Sequence, residues 1–155
     1  MQKFTAMRNK SDTQFMQVAI AQAREGYTPF GCVIVNENKI VVSAFNTVKK
    51  DKDPTAHAEI NAIRKLSKIP GYKNLQLTLY TTAEPCPMCM SAIMYAGIKR
   101  VVFGVSIPEI SRYHKQIMIS SEEIVEKGFA QIEIKAGMLY EECLHLFKTG
   151  NHDQR

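Results

Sequence analysis

The chain has 155 residues, of which 45% are hydrophobic, and it carries four cysteines and a net charge of +5. This size and apolar content suit one globular domain over residues 1–155, and four cysteines are too few for a disulfide-stapled scaffold. No stretch is apolar and long enough for a secretory signal or a membrane span, so we expect a soluble, cytoplasmic protein. Basic residues are interleaved with acids, which indicates nucleic-acid binding more weakly than a single basic block would.

The first half of the chain predicts a helix, a hairpin and a second helix. Apolar residues at helical spacing between residues 11 and 25 indicate the first helix, which Ser11 or Asp12 could cap and Gly26 ends. Two apolar segments on either side of the polar turn "NEN" then predict a β-hairpin. A second helix follows at residues 60–67 and stops before a Pro-Gly pair.

The second half predicts strands that alternate with helices. Strands are expected at residues 75–81, 99–105 and 131–135, with helices at 85–96 and 120–128 between them. A last helix carries Leu139, Cys143, Leu146 and Phe147. Strands connected by helices become parallel neighbours through right-handed crossovers. The predicted fold class is therefore α/β, a three-layer α/β/α arrangement whose five-stranded mixed sheet combines an antiparallel hairpin with parallel strands.

Two cysteines, Cys86 and Cys89, stand three residues apart in "PCPMC" at the start of a predicted helix. This spacing suits either a redox pair or a metal site. At positions i and i+3 the two side chains leave one helical turn in the same direction, and the helix N-terminus stabilises thiolates. Cys32, in a predicted strand, and Cys143, on an apolar helix face, are expected to be buried hydrophobic residues instead.

A histidine at the start of the second helix favours the metal interpretation. Together, His57, Cys86 and Cys89 are one nitrogen and two sulfur ligands, which is the set that zinc takes when its fourth position stays open. The remaining histidines are isolated and late in the chain: His114, His145 and His152. Because a structural zinc site needs a fourth protein ligand, the sequence predicts a catalytic one.

Glu59 supplies the acid–base group that such a site needs. It lies two residues after His57, in the first helical turn, where side chains lean toward the N-terminal end of the helix. A carboxylate there can accept a proton from an attacking water and deliver it to a leaving group. As a lone surface acid Glu59 would need no such role, but its position beside the predicted ligands favours catalysis.

These residues form the H-x-E…P-C-x-x-C signature of zinc deaminases that act on nucleobases. The segments "PFGCVIV", "DPTAHAEINAIRK", "LYTTAEPCPMCMSAI" and "RVVFG" resemble the cytidine and deoxycytidylate deaminase superfamily. They are most similar to the branch of bacterial guanine deaminases and tRNA adenosine deaminases. The resemblance implies a cytidine-deaminase-like fold, Zn²⁺ as the cofactor, Glu59 as the proton shuttle, and association as a homodimer.

The same resemblance implies contacts to a base. Asn46 matches the substrate-binding asparagine at the end of the second strand, and backbone contacts are implied near Ala58 and Pro85. Phe30 could stack on the base, or it could equally belong to the core. The implied reaction replaces the exocyclic amine of the ring by oxygen and releases ammonia.

The substrate is predicted less sharply than the reaction. The "PFG" stretch favours a small guanine-type purine base or nucleoside, although "SRYHKQIMIS" lacks the acids that guanine deaminases carry after the fourth strand. An adenosine of tRNA is a second alternative, but "GVSIPEISRYHKQ" lacks the glycine-rich loop and "LFKTGNHDQR" is a short tail. Cytosine or cytidine is a third. A catalytically inactive, zinc-stabilised binding subunit is a fourth, which the presence of Glu59 disfavours.

Overall fold

The structure, a computed structural model, describes the backbone of residues 2–149 and the side chains of residues 12–149. Seven helices, one 3₁₀ turn and five strands follow one another in that part of the chain. Their order and bounds are α1 Gln2–Glu25, β1 Gly31–Asn36, β2 Lys39–Phe45, α2 Val48–Asp51, α3 Ala58–Leu66, a 3₁₀ turn Tyr72–Asn74, β3 Leu77–Ala83, α4 Pro87–Tyr95, β4 Arg100–Val105, α5 Ile107–Ile110, α6 Ser121–Lys127, β5 Glu133–Lys135 and α7 Tyr140–Thr149.

The five strands form one mixed sheet in the order β2-β1-β3-β4-β5. Strand β1 is antiparallel to both β2 and β3, whereas β3, β4 and β5 run parallel. Helices α1 and α7 pack on one face, and α3, α4 and α6 form the layer on the other face. The predicted three-layer α/β/α fold with a hairpin and parallel strands is confirmed.

The core fills the space between the sheet and both helix layers. Strands β1 and β4 are buried along nearly their whole length, as expected of central strands that helices cover on both faces. Gly31 lets α1 approach β1 closely, because a Cβ there would collide with the backbone of Ala19 and Ala23. None of the helices in residues 2–149 combines the length and apolar character required to cross a membrane.

Three sequence-based expectations need correction. Helix α1 begins at Gln2, well before Ser11 and Asp12, so neither residue caps it. The buried side chain of Asp12 instead forms ion pairs with Arg100 and Lys135, which holds α1 on the sheet. Leu139 lies before the last helix, in a left-handed conformation. The predicted strand at residue 75 begins two residues later, after the 3₁₀ turn.

Candidate metal centre and active site

The starts of helices α3 and α4 bring the three predicted metal ligands together. His57 is the N-cap of α3, Cys86 is the N-cap of α4, and Cys89 lies in the first turn of α4. The Nδ1 atom of His57 is 3.6 Å from the Sγ atom of Cys86 and 3.4 Å from that of Cys89. All three ligand atoms lie within 4.8 Å of one another, and no other such group occurs among the described residues.

These separations fit zinc. Zinc–sulfur bonds of about 2.3 Å and zinc–nitrogen bonds of about 2.05 Å at a tetrahedral angle place sulfur and nitrogen about 3.5 Å apart. The two observed separations, 3.4 and 3.6 Å, bracket that value. Pro87, at the first position of α4, fits the helix start without losing a hydrogen bond. The three ligands leave the fourth position to water or substrate, as in catalytic zinc sites.

Glu59 is a fully buried carboxylate in the first turn of α3, two residues after the ligand His57. The hydroxyl of Thr81 donates a hydrogen bond of 2.9 Å to its Oε1 atom. Thr81 lies on β3, the strand that leads directly into Cys86. The bond therefore connects the two chain segments that carry the metal ligands.

Asn46 directly follows β2 and is 2% exposed. Its backbone N–H donates to the carbonyl of Phe30, and its Oδ1 accepts from the backbone N–H of Val48. Its buried Nδ2 has no hydrogen-bond partner within the described part of the chain. A buried donor without a partner is unfavourable, so this amide is suited to a ligand acceptor. The side-chain amide of Asn61 holds the segment by donating to the carbonyl of Phe45 and to Oγ1 of Thr47.

The other predicted contact residues are buried around the site. The ring of Phe30 is 1% exposed and packs edge-on against His114 and Phe147, so of its two proposed uses the structure favours core packing. Ala58 opens α3, where backbone N–H groups lack intrahelical acceptors, and Pro85 lies immediately before the ligand Cys86.

The remaining cysteines and histidines lie outside the metal group. Cys32 and Cys143 are buried, as predicted. Burial, and then the charge of Glu59, raise the pKa of Cys32, and burial raises the pKa of Cys143 to about 12. Both thiols therefore stay protonated. His114 belongs to the aromatic cluster with Phe30, His145 is exposed, and His152 lies outside the described residues.

Glu84 is a buried acid that sequence analysis did not single out. Its Oε1 accepts a hydrogen bond of 2.8 Å from the backbone N–H of Ile107, the first residue of α5. Its Oε2 accepts from both the backbone N–H and the hydroxyl of Ser121, the first residue of α6. The Glu84 carboxylate thus holds both ends of the segment between β4 and α6, and Glu84 itself lies two residues before the metal ligand Cys86. Its partners lie 23 and 37 residues away in sequence, so no local pattern indicates them.

Comparison with known proteins places these features in a family. Residues 9–105 match the model of the cytidine and deoxycytidylate deaminase zinc-binding region. A tRNA-specific adenosine deaminase of Buchnera aphidicola is 38% identical over 144 residues, covering 90% of this chain and 87% of the relative. The guanine deaminase of Bacillus subtilis is 44% identical over 96 residues, covering 58% of this chain and 62% of the relative.

The fold leads to the same group of proteins. A structure from a study of A-to-I editing by tRNA:A34 deaminases superposes with a TM-score of 0.71 at 28% identity, covering 86% of this chain and 99% of that one. His57, Cys86 and Cys89 all lie inside the matched zinc-binding region and are positioned to bind a metal, and zinc is the cofactor of this family. The chain belongs to the cytidine and deoxycytidylate deaminase family and is a zinc-dependent deaminase, a hydrolase.

Proposed function

We propose that this enzyme deaminates a purine within RNA, converting an adenosine of tRNA to inosine with release of ammonia. The observation that carries the choice of substrate is the extent of similarity. The tRNA-specific relative matches 90% of the chain, whereas the guanine deaminase matches 58%. This reverses the order in which the "PFG" stretch alone ranks the two substrates.

The proposed chemistry assigns the proton transfers to Glu59. When bound by His57, Cys86 and Cys89, zinc supplies Lewis acidity that makes water nucleophilic near neutral pH. Glu59 takes the proton from the attacking water and passes it to a ring nitrogen, which lets the ring carbon accept the oxygen. It then takes the second proton from the added hydroxyl and delivers it to the amine, so that the carbon–nitrogen bond breaks, the carbonyl forms and ammonia leaves. Burial of Glu59 keeps bulk water away from these transfers.

Asn46 is proposed to read the substrate. Its Nδ2 is a buried donor that has no hydrogen-bond partner among the described residues, while its Oδ1 already accepts from the backbone N–H of Val48. An acceptor on the base or ribose would complete the hydrogen bonding of this amide. The backbone at Ala58 and Pro85 is proposed to contact the reacting part of the ring, because both residues flank metal ligands.

The charge beside Asn46 supports an RNA substrate. The short helix α2 begins two residues after Asn46 and carries the exposed Lys49 and Lys50, and the exposed Lys52 follows it. The chain as a whole has a net charge of +5. These lysines are interleaved with Asp51 and Asp53, and they lie close in sequence to Asn46. That position suits contacts with the phosphates that flank a target nucleotide, and such contacts would make binding salt-dependent.

Guanine deamination is the second candidate. The guanine deaminase of Bacillus subtilis shows a higher identity, 44%, although over a shorter stretch. A free base would need neither the lysines of α2 nor any salt-dependent contact.

The test compares kcat/KM for a tRNA anticodon stem-loop with the values for adenosine, guanine, guanosine and cytosine. We expect the stem-loop to be preferred and its kcat/KM to fall steeply as salt is added. A preference for guanine that is insensitive to salt would establish the second candidate. If zinc-loaded protein released ammonia from none of them, the inactive binding subunit would be favoured.

We also propose that the 155 residues form one domain that works as a homodimer. A groove of about 330 Å³ between α4 and α6 is lined by the exposed rings of Tyr95 and Phe129, whose centroids are 5.2 Å apart. A second copy would cover this apolar surface. Phe129→Glu should therefore shift the protein toward the monomer in sedimentation velocity, whereas Phe129→Tyr should not.

A further inference from the structure

Two paired residues of the sheet contact the first turn of α3, which carries Glu59. Cys32 on β1 pairs with Thr81 on β3 across the antiparallel ladder. The Sγ atom of Cys32 donates to the carbonyl of Ala58 at 3.6 Å, and the Oγ1 atom of Thr81 donates to Glu59 at 2.9 Å. The sheet therefore supports two consecutive residues of the catalytic helix.

Thr81 is the member of this pair that touches the proposed proton carrier. Its side chain is 1% exposed, and Glu59 is fully buried, so no bulk water competes for their hydrogen bond. The Thr81 hydroxyl donates this hydrogen bond and the carboxylate oxygen of Glu59 accepts it. A hydrogen bond between two buried groups is costly to break, because neither group can bond to water instead.

The geometry points to Thr81 as a positioning residue that fixes the carboxylate of Glu59 for proton transfer; we propose this role on the basis of the proposed function above. A glutamate side chain has several rotatable bonds, and proton transfer needs its oxygen within hydrogen-bond reach of the reacting atoms. A β-branched donor on a strand is itself confined to few rotamers. The hydrogen bond from Thr81 therefore restricts the Glu59 carboxylate to one orientation relative to the sheet.

The residues on either side of Thr81 in β3 also carry hydroxyl groups, but these groups bind elsewhere. Side chains of successive strand residues point to opposite faces, and accordingly the Tyr80 hydroxyl donates to Asp12 on the α1 face. The hydroxyl of Thr82 donates to the carbonyl of Pro29 and accepts from the N–H of Gly31. Of these three consecutive hydroxyls, the one on Thr81 reaches the carboxylate of the catalytic helix.

The test replaces the hydroxyl of Thr81 by a methyl group. Thr81→Val preserves shape, and we expect kcat to fall by about 10- to 100-fold with KM within about twofold and zinc content unchanged. Thr81→Ser restores the donor and should recover most of kcat. Thr78→Val makes the same change on the opposite face of the same strand and should leave kcat and KM unaltered.

A second measurement is independent of turnover. With glutamate labelled at the side-chain carboxyl carbon, the Glu59 signal is identified in the ¹³C spectrum by its loss in Glu59→Gln. We expect Thr81→Val, but not Thr78→Val, to shift or split that signal in the zinc-loaded protein. An unchanged signal would overturn the positioning role even if no substrate were turned over.

The kinetic outcomes are equally distinct. Thr81→Val with wild-type kcat, or a loss confined to KM, would refute the role of Thr81 while leaving the proposed function intact. A serine variant as impaired as the valine variant would show that packing is what matters at this position. Wild-type protein inactive on every substrate would instead count against the proposed function.

Discussion

Asp12 and Glu59 are buried carboxylates on opposite faces of β3, and consecutive residues of that strand donate hydrogen bonds to them. Tyr80 donates to Asp12, and Thr81 donates to Glu59. Asp12 also forms ion pairs with two cations, Arg100 at 2.8 Å and Lys135 at 3.3 Å. Cationic partners hold a buried acid in its charged form, and the hydroxyl of Thr81 orients the carboxylate of Glu59.

The difference separates an acid that supports the fold from one that is proposed to carry protons. Burial tends to raise the pKa of Asp12, but hydrogen bonds from Arg100 and Tyr80 and the charge of Arg100 outweigh it and lower that pKa from 3.8 to about 2. Asp12 thus stays ionised across the physiological range. Glu84, the third buried acid, accepts three hydrogen bonds and resembles Asp12 in serving the fold.

The largest expected effect comes from removing a metal ligand next to Glu59. Cys89→Ala should lose zinc, turnover and thermal stability together, because two remaining ligands hold zinc poorly and metal binding contributes to folding. Metal analysis and ammonia release measure this. Cys143→Ala, which also removes a buried thiol, should keep about one zinc per chain and its activity. Equal zinc loss in both variants would contradict the assigned ligand set.

Removing the charge of the opposite acid should act on stability alone. Asp12→Asn breaks the buried pair with Arg100 and should lower the free energy of unfolding by about 3 kcal/mol. Because the pKa of Asp12 is lower in the folded state, its contribution is present above pH 3.8 and is lost as the pH falls toward about 2.

Chemical denaturation across that range checks this expectation. The gap in stability between the wild type and Asp12→Asn should close on acidification, and kcat at neutral pH and low temperature should match the wild type. If Asp12→Asn had normal stability but an impaired kcat, Asp12 would affect catalysis and not the stability of the fold, which would contradict the distinction between Asp12 and Glu59.

Glu84 should show a smaller loss of stability that acts on one segment. Glu84→Gln keeps an acceptor for Ile107 but places an amide opposite the donors of Ser121, which should lower stability by about 2 kcal/mol. Hydrogen exchange should rise at the start of α6. Ser121→Ala removes one donor only and should lower stability by about 1 kcal/mol. Uniform exchange throughout the chain would show that Glu84 does not act locally.

The smallest expected effect comes from Asn46 and tests its proposed contact with the substrate. Asn46→Asp keeps the acceptor for Val48 and replaces the unpaired Nδ2 donor, so kcat/KM should fall by about tenfold while zinc content stays constant. Asn46→Ala should show the same loss plus a local loss of stability. If Asn46→Asp bound and turned over substrate normally, Nδ2 would not be a substrate contact.

The sequence predicted the parts of the site that depend on short-range order. Cys86 and Cys89 are three residues apart in one helical turn, so their spacing predicts a common direction. Glu59 is two residues after His57, and the lean of first-turn side chains toward the N-terminal end of the helix predicts that both reach one site. The alternation of strands and helices likewise predicted the sheet. Both inferences use periodicity, which reports on neighbours along the chain.

The supporting contacts depend on topology and were not predicted. Thr81 reaches Glu59, 22 residues away, only because the fold brings β3 against the first turn of α3. Asp12 fits a capping pattern, yet its partner Arg100 lies 88 residues along the chain. The segment between β4 and α6 has no periodic pattern, and it exposes Ile117 and Met118. Periodicity therefore does not predict how this segment packs, and the residues that it places near the site could not be predicted from sequence.

The comparison between the two acids is tested most directly by ammonia release from Glu59→Gln at matched zinc content. The substitution preserves size and hydrogen bonding to Thr81 but removes the proton-accepting group. We predict about one zinc per chain, a melting temperature no lower than that of the wild type, and turnover reduced by about 10²- to 10⁴-fold. Turnover near the wild-type rate with zinc fully bound would contradict the account, because Glu59 would then not carry the proton.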